Sequence, residues 1–184
     1  MNQLNNDILR VVLTHSDCDA IAALIGEQIT EEYTGRNPLI VCVLKGAAPF
    51  ATRLFCAIAC PAEIEFVQAS SYGSSDKSGD FTLKKDTDCN VSGRDVIIVD
   101  DILDTGKTLL NIREMMVARG AASVKLCVLF NKPSRREAPI EADFVGLTVP
   151  DEFLVGFGLD FAERYRNLPY VGVLKPSIYA GNQI

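Results

Sequence analysis

One histidine, His15, is all that a chain of 184 residues possesses here, and that scarcity excludes chemistry at once. His15 has no Ser or Cys nucleophile beside it in a usable constellation, so a histidine-based triad is rejected and it reads as structural or surface. The six cysteines, Cys18, Cys42, Cys56, Cys60, Cys89 and Cys127, contain no CxxC pair and too few histidines to complete a zinc site. Four of them lie in apolar segments, which reads as buried, reduced thiols of a cytoplasmic protein. Positive charge is also short. Eighteen Lys and Arg against 24 Asp and Glu leave a net charge of −6. That balance argues against a nucleic-acid surface, but not against small phosphorylated ligands, which need only a few local donors. No apolar run approaches the ~18 to 20 residues of a membrane span. The N-terminal MNQLNNDILR lacks a basic region followed by an apolar stretch, so no secretion signal is expected. Without repeats, low-complexity segments or linkers, residues 1–184 are expected to form one domain.

What the chain does contain is an alternation of strands and helices. Residues 8–13 read as a short strand. A helix follows to about Tyr33, capped by Ser16 or Asp17, with Ile21, Leu24, Ile25 and Ile29 on its apolar face. LIVCVL (39–44), EIEFVQAS (63–70), DVIIVD (95–100) and SVKLCVLF (123–130) read as strands, the continuous apolar runs implying cover on both faces. Helices are expected over 49–59 and from about Gly106 to Arg119, the latter ended by Gly120. This order predicts an α/β fold with a mostly parallel sheet flanked by helices. Ligands in such sheets bind beyond the carboxyl ends of the strands, which brings Lys45-Gly46 and the acids after residue 99 to a common mouth. The Ser, Gly, Asp and Lys-rich stretch between 70 and 94 is long for a connection and reads as part hairpin, part mobile lid.

The stretch VIIVDDILDTGKTLL (96–110) carries the chemistry. Gly106-Lys107-Thr108 matches the end of a P-loop, but the glycine that motif needs five places earlier is Asp101. Acids near a helix N-terminus are ordinary capping features. Two adjacent acids, Asp100 and Asp101, with Asp104 just beyond, exceed that explanation, because neighbouring like charges cost stability. Cations or sugar hydroxyls would relieve them. Backbone N–H groups of residues 105–108, with the Thr105 and Thr108 hydroxyls, suit a phosphate monoester at a helix N-terminus.

Two acids, two aliphatics and Asp-Thr-Gly-Lys-Thr after an apolar strand resemble the phosphoribosyl-pyrophosphate (PRPP) signature of type I phosphoribosyltransferases. VLKGA (43–47), SSYGSSDKSGD (70–80), NKPSRR (131–136) and VPDEFLVGFGLDFAERYRNLPYVGVL (149–174) are similar, in order, to segments of the hypoxanthine-guanine phosphoribosyltransferase family, most of all its bacterial hypoxanthine branch. The resemblance implies that fold, with a small hood from the N-terminal segment and residues 149–184 and a flexible lid. It implies a magnesium-dependent glycosyltransferase of purine salvage, cytoplasmic and a homodimer or homotetramer, moving ribose 5-phosphate from PRPP to N9 of a 6-oxopurine. Asp104, Thr105, Gly106, Lys107 and Thr108 would hold the 5′-phosphate, while Asp100 and Asp101 would take the ribose hydroxyls and Mg²⁺. Asp160 would serve a second Mg²⁺. Lys45, Gly46, Arg166, Ser71 and Tyr72 would receive pyrophosphate, with the Lys45–Gly46 peptide expected to be cis. Lys132 would donate to the 6-oxo oxygen, Phe153 would stack on the purine, Leu154 would read its edge, and Asp104 would accept the N7 proton.

Each assignment has a plainer counterpart. Lys132 with Arg135-Arg136 alone would be a solvated turn, Phe153 a core residue, and Arg166 a helix-surface partner of Glu163. Two other function classes share parts of the pattern. A regulator of this fold binding PRPP or RNA should show a basic face, and this chain is acidic. An orotate, uracil or adenine transferase should lack Lys132 and PDEFLVG, whereas a preference for xanthine is compatible with everything above.

Overall fold

The structure, a computed structural model, describes residues 3–71 and 81–180. A short 3₁₀ turn leads into β1 (Ile8–Leu13), α1 (His15–Tyr33), β2 (Leu39–Leu44), α2 (Ala48–Ala57), β3 (Glu63–Ser71), β4 (Phe81–Lys85), β5 (Asp95–Leu103), α3 (Lys107–Ala118) and β6 (Ser123–Asn131). Strands β7 (Phe144–Thr148), β8 (Leu154–Val155) and β9 (Val171–Leu174) and the short α4 (Pro176–Tyr179) complete the described chain.

Six strands form the central sheet in the order β4-β3-β2-β5-β6-β7, parallel throughout except for β4. The continuous apolar strands are covered on both sides, as their composition requires. Ile40 and Cys42 of β2, Ile97 and Val99 of β5, and Cys127 and Leu129 of β6 pack with α1 and α2. The alternate residues Leu39, Val41, Ile98, Leu126 and Val128 pack against Leu109, Ile112 and Met116 of α3. Strand β1 does not join this sheet. It pairs with β9, which pairs with β8, making a separate three-stranded antiparallel sheet from the two ends of the chain.

Helix α1 is capped two to three residues earlier than Ser16 or Asp17, the caps its sequence suggests. Thr14 is the cap, its Oγ1 accepting from the Asp17 N–H at 3.2 Å while the Thr14 N–H donates to Asp17 Oδ2 at 2.8 Å, a reciprocal box in which Asp17 serves from inside the helix. Its buried stripe runs through Cys18, Ala22, Ile25, Gly26, Ile29 and Tyr33. Leu24, expected on that face, is 60% exposed, because small residues at 22 and 26 carry the closest packing and rotate the stripe away from it. Helix α2 ends at Ala57, which leaves Cys60 beyond it.

The register of the central sheet makes the site. β2 pairs with β5 only as far as Cys42–Val99. Beyond that point β2 continues with β3 and β5 with β6, so the two strands part just where the chain order reverses direction, the position at which open α/β sheets take ligands.

All six cysteines are free. Burial, then Asp19 and Asp17, pushes the Cys18 thiol up to about 11; burial, then Asp100 and Asp101, pushes Cys42 up to about 12. Cys127 is raised further by burial and Asp143. A thiol reagent at mildly alkaline pH should therefore label exposed Cys56 in the native protein and reach Cys18, Cys42 and Cys127 only on unfolding. Peptide mapping of the labelled protein that finds any of those three modified before denaturation would contradict this packing.

Candidate active site

Strand β5 runs through both acids instead of stopping at them, so Asp100 and Asp101 sit on strand backbone where β2 has already turned away. The Asp101 N–H donates to Asp100 Oδ1 at 2.9 Å, and the Ile102 N–H donates to Asp101 Oδ1 at 2.8 Å. Burial holds the Asp100 carboxyl well above the ordinary carboxylate range, and the neighbouring Asp101 charge adds to it. Asp101 is raised less: burial dominates, but its bonds to Asp100 and the Ile102 N–H and the charge of Arg166 oppose it.

The loop after β2 presses directly on this pair. A side chain at Gly46 would begin 1.8 Å from Asp101 Oδ2, so only glycine lets this backbone lie on the carboxylate. Gly158, at φ +102°, closes in from the hood in turn; a side chain there would begin 1.9 Å from the Gly46 carbonyl. The cis peptide in this loop is Leu44–Lys45, one bond before the Lys45–Gly46 position expected. Nothing in a non-proline sequence marks which bond is cis.

Next comes the phosphate-type hollow. Gly106 takes φ +83° and precedes α3 without any side-chain cap. The first bond into the helix is Leu110 N–H to the Gly106 carbonyl at 2.9 Å, which leaves the preceding N–H groups without intrahelical acceptors. Beside this helix start lies a hollow of about 230 Å³ lined by Asp100 to Gly106, Thr108 and Leu109. The Lys107 side chain is paired with Glu137 at 2.5 Å. From below, the Thr105 carbonyl accepts from the N–H groups of Glu137 and Ala138, each at 3.0 Å.

A larger cleft of about 500 Å³ shares Asp101, Ile102 and Asp104 with that hollow and extends to Lys132, Phe153 and Asp160. Lys132 is no solvated turn residue. It is 7% exposed, its N–H bonded to the Leu103 carbonyl at 3.0 Å and its Nζ donating to the Glu152 carbonyl at 3.0 Å. Phe153 stands at the cleft 36% exposed. Its ring stacks on Tyr179 at 5.0 Å and meets Phe161 edge-on at 5.5 Å. Leu154, buried, lies in β8 alongside.

At the hood side, Arg166 is not on a helix. Its Nη2 lies 2.8 Å from Asp160 Oδ1 and 3.4 Å from Glu163, and its Nη1 donates to the Gly158 carbonyl at 2.8 Å. Lys45 joins the same group through Glu163 at 3.1 Å. Asp160 thus belongs to Arg166, and among the described residues no three acids converge with it to form a metal cage. Ser71 ends β3 opposite Phe81; Tyr72 lies outside the described residues. Sequence reasoning missed Glu163 as a bridge, Tyr179 as the neighbour of Phe153, and the ion pairs of Arg10 with Glu152 and of Arg135 Nε with Asp104 Oδ1, the latter at 3.3 Å. Arg10 and Glu152 are separated by 142 positions, and no local pattern announces such a contact.

Comparison with known proteins agrees with this layout. Residues 14–162 match the model of the phosphoribosyl transferase domain. The hypoxanthine-guanine phosphoribosyltransferase of Streptococcus thermophilus is 50% identical over 177 residues, covering 96% of this chain and 98% of that protein. That of Streptococcus pyogenes is 47% identical over 178 residues, covering 96% and 99%. A crystal structure of a hypoxanthine phosphoribosyltransferase from Staphylococcus aureus superposes with a TM-score of 0.93 at 42% identity, covering 97% of this chain and 98% of that one. The buried lysine, the acid pair and the open helix N-terminus thus sit in a chain that belongs to the phosphoribosyltransferase family and, within it, to the hypoxanthine-guanine phosphoribosyltransferases.

Proposed function

We propose that this chain transfers the 5-phosphoribosyl group from PRPP to N9 of hypoxanthine and guanine, releasing pyrophosphate and yielding the nucleoside monophosphate for purine salvage. The observation that carries the reading is the union of two cavities at the end of β5: a helix-N-terminal hollow suited to a phosphate and a cleft with a buried lysine, meeting at Asp101, Ile102 and Asp104. A ribose seated across those residues has its 5′-phosphate in the hollow and C1 facing the cleft.

In the reaction the bond from C1 to the pyrophosphate oxygen breaks as the bond from N9 forms, and positive charge grows at C1. The residues of the site answer that charge and the proton that must leave the base. The N–H groups at Thr105 to Thr108 hold the 5′-phosphate. Asp100 and Asp101 accept from the ribose hydroxyls. Lys45 and Arg166 exchange their partners Glu163 and Asp160 for the departing pyrophosphate, the Gly46 backbone lining its exit and Ser71-Tyr72 of the 70–94 lid shielding it from water. Lys132 Nζ donates to the 6-oxo oxygen. It cannot be met by the 6-amino group of adenine, which is itself a donor. Phe153 supplies the stacking face and the Leu154 backbone the edge contact. Asp104 takes the proton from N7.

Asp100 and Asp101 offer oxygen donors whose mutual repulsion a cation would relieve, and this fits Mg²⁺, which takes few protein carboxylates and keeps its waters. Mg²⁺ at Asp100, Asp101 and Asp160 would neutralise charge on the donor's pyrophosphate. A homodimer or homotetramer in the cytoplasm belongs to the same proposal; among the described residues no helix is long and apolar enough to cross a membrane.

Purified protein given PRPP and Mg²⁺ should release pyrophosphate with hypoxanthine and guanine and not with adenine or orotate. Silence with both oxopurines, or turnover that survives thorough chelation, would sink the corresponding claim. Asp104→Ala should lower kcat by about a hundredfold or more, whereas Lys132→Ala should raise the KM for base by about tenfold to a hundredfold, the worth of a charged hydrogen bond. A D104A enzyme with full turnover would remove Asp104 from its role. Asp100→Asn separates stability from function. The Asp100 carboxyl is raised on folding, so the wild type loses stability as pH rises through that raised value and is spared at acid pH. Metal-free D100N should therefore melt higher than wild type at neutral pH, with the gap closing on acidification, while turnover falls. A D100N protein less stable at neutral pH would show that the acid pair is not strained.

A further inference from the structure

Arg135 and Arg136 are neighbours in sequence with opposite fates. Arg135 is half exposed and faces Asp104 and Asp151 across the base cleft. Arg136 runs beneath the corner of the phosphate loop, its Cδ 3.1 Å from where a Gly106 side chain would begin. Its Nη2 donates to the Leu103 carbonyl at 3.3 Å and to Asn131 Oδ1 at 2.5 Å. Its Nε and Nη1 are buried and find no acceptor. Among the described residues Arg136 also enters no ion pair, and its sequence neighbour Glu137 is paired with Lys107. A guanidinium does not give up its proton. The result is a permanent positive charge, largely out of water and uncompensated, an arrangement that costs stability unless something pairs with it.

We propose that the missing counter-charge is the 5′-phosphate of the substrate: Arg136 is a positioning residue that holds the phosphate loop from behind and gives the hollow a fixed positive field. The inference rests on the reading that this hollow takes the 5′-phosphate. One observation and two physical effects converge on it. The other cation near the hollow, Lys107, rests on Glu137 in a solvent-exposed pair, whereas the Arg136 charge is held beneath the loop. The helix N-terminus supplies only partial charge, whereas the phosphate monoester of the donor is a full anion. The low-dielectric ground between Arg136 and the loop screens their attraction weakly.

Arg136→Met, which keeps the length of the stem without the charge, and Arg136→Lys, which keeps the charge without the fork, test this in the full chain. R136M should raise the KM for PRPP about tenfold, with kcat and the KM for hypoxanthine at saturating PRPP within about twofold of wild type. Its calorimetric affinity for inosine 5′-monophosphate should fall by the same factor as its PRPP affinity. R136K should recover most of that loss. Without ligand, R136M should melt at or above the wild-type temperature, because an unpaired charge has been removed. An unchanged KM for PRPP, equal rises in both KM values, or an R136M that fails to fold would each make Arg136 a scaffold residue and overturn the inference; R136K that folds but binds no better than R136M would do the same. Wild-type protein that shows no PRPP-dependent pyrophosphate release would instead sink the functional reading, so the two failures are distinguishable.

Discussion

The contact between the Gly46 backbone and the Asp101 carboxylate is the constraint around which the site is arranged. It occurs where β2 and β5 part company, and it is possible only because residue 46 has no side chain. Gly158 repeats the device one layer out, laying the hood against the Gly46 carbonyl. Backbone from two distant parts of the chain is thereby layered over one acid. Their closeness desolvates Asp100 and Asp101, and desolvation is what raises both carboxyls. An acid pair held in this way favours a partner bearing positive charge or hydrogen-bond donors.

The rest of the site is organised by provisional pairing. Arg166 rests on Asp160, Lys45 on Glu163 and Arg135 on Asp104. The exposed pairs of Lys45 and Arg135 are worth little individually, so exchanging them for other partners costs little. They also keep the cations in place before substrate arrives. Arg136 departs from the pattern, having hydrogen bonds to neutral groups and no anion. One stretch, residues 131–140, forms the floor of both halves of the site. It bonds the Thr105 carbonyl through Glu137 and Ala138 and the Leu103 carbonyl through Lys132, and it presents Lys132 to the cleft.

Much of this was readable beforehand because the information is local. Continuous apolar runs at 39–44 and 123–130 specify buried strands whatever surrounds them, and Asp-Thr-Gly-Lys-Thr after such a run specifies an open helix N-terminus. Other readings failed for equally physical reasons. The α1 stripe was misjudged at Leu24 because close packing through Ala22 and Gly26 is a property of the neighbour as much as of the helix. The cap was placed at Ser16 or Asp17 because Thr14 and Asp17 share the work, and sequence alone does not say which of several capping residues has the extended backbone. The cis bond fell one residue away from its expected place, as no side chain marks it.

The sequence by itself determined the alternation of strands and helices, the parallel sheet, the glycine-ended helix and the residue types gathered at the end of β5. Those follow from periodicity, turn chemistry and the charge that each side chain must carry. The tertiary structure alone decided which charges are neutralised. Arg135 and Arg136 are indistinguishable as adjacent letters, yet one reaches water and Asp104 while the other lies beneath Gly106 without a counter-ion. Pairing and desolvation depend on distances between segments remote in the chain, and those distances exist only once β2, β5 and the hood have closed on one another.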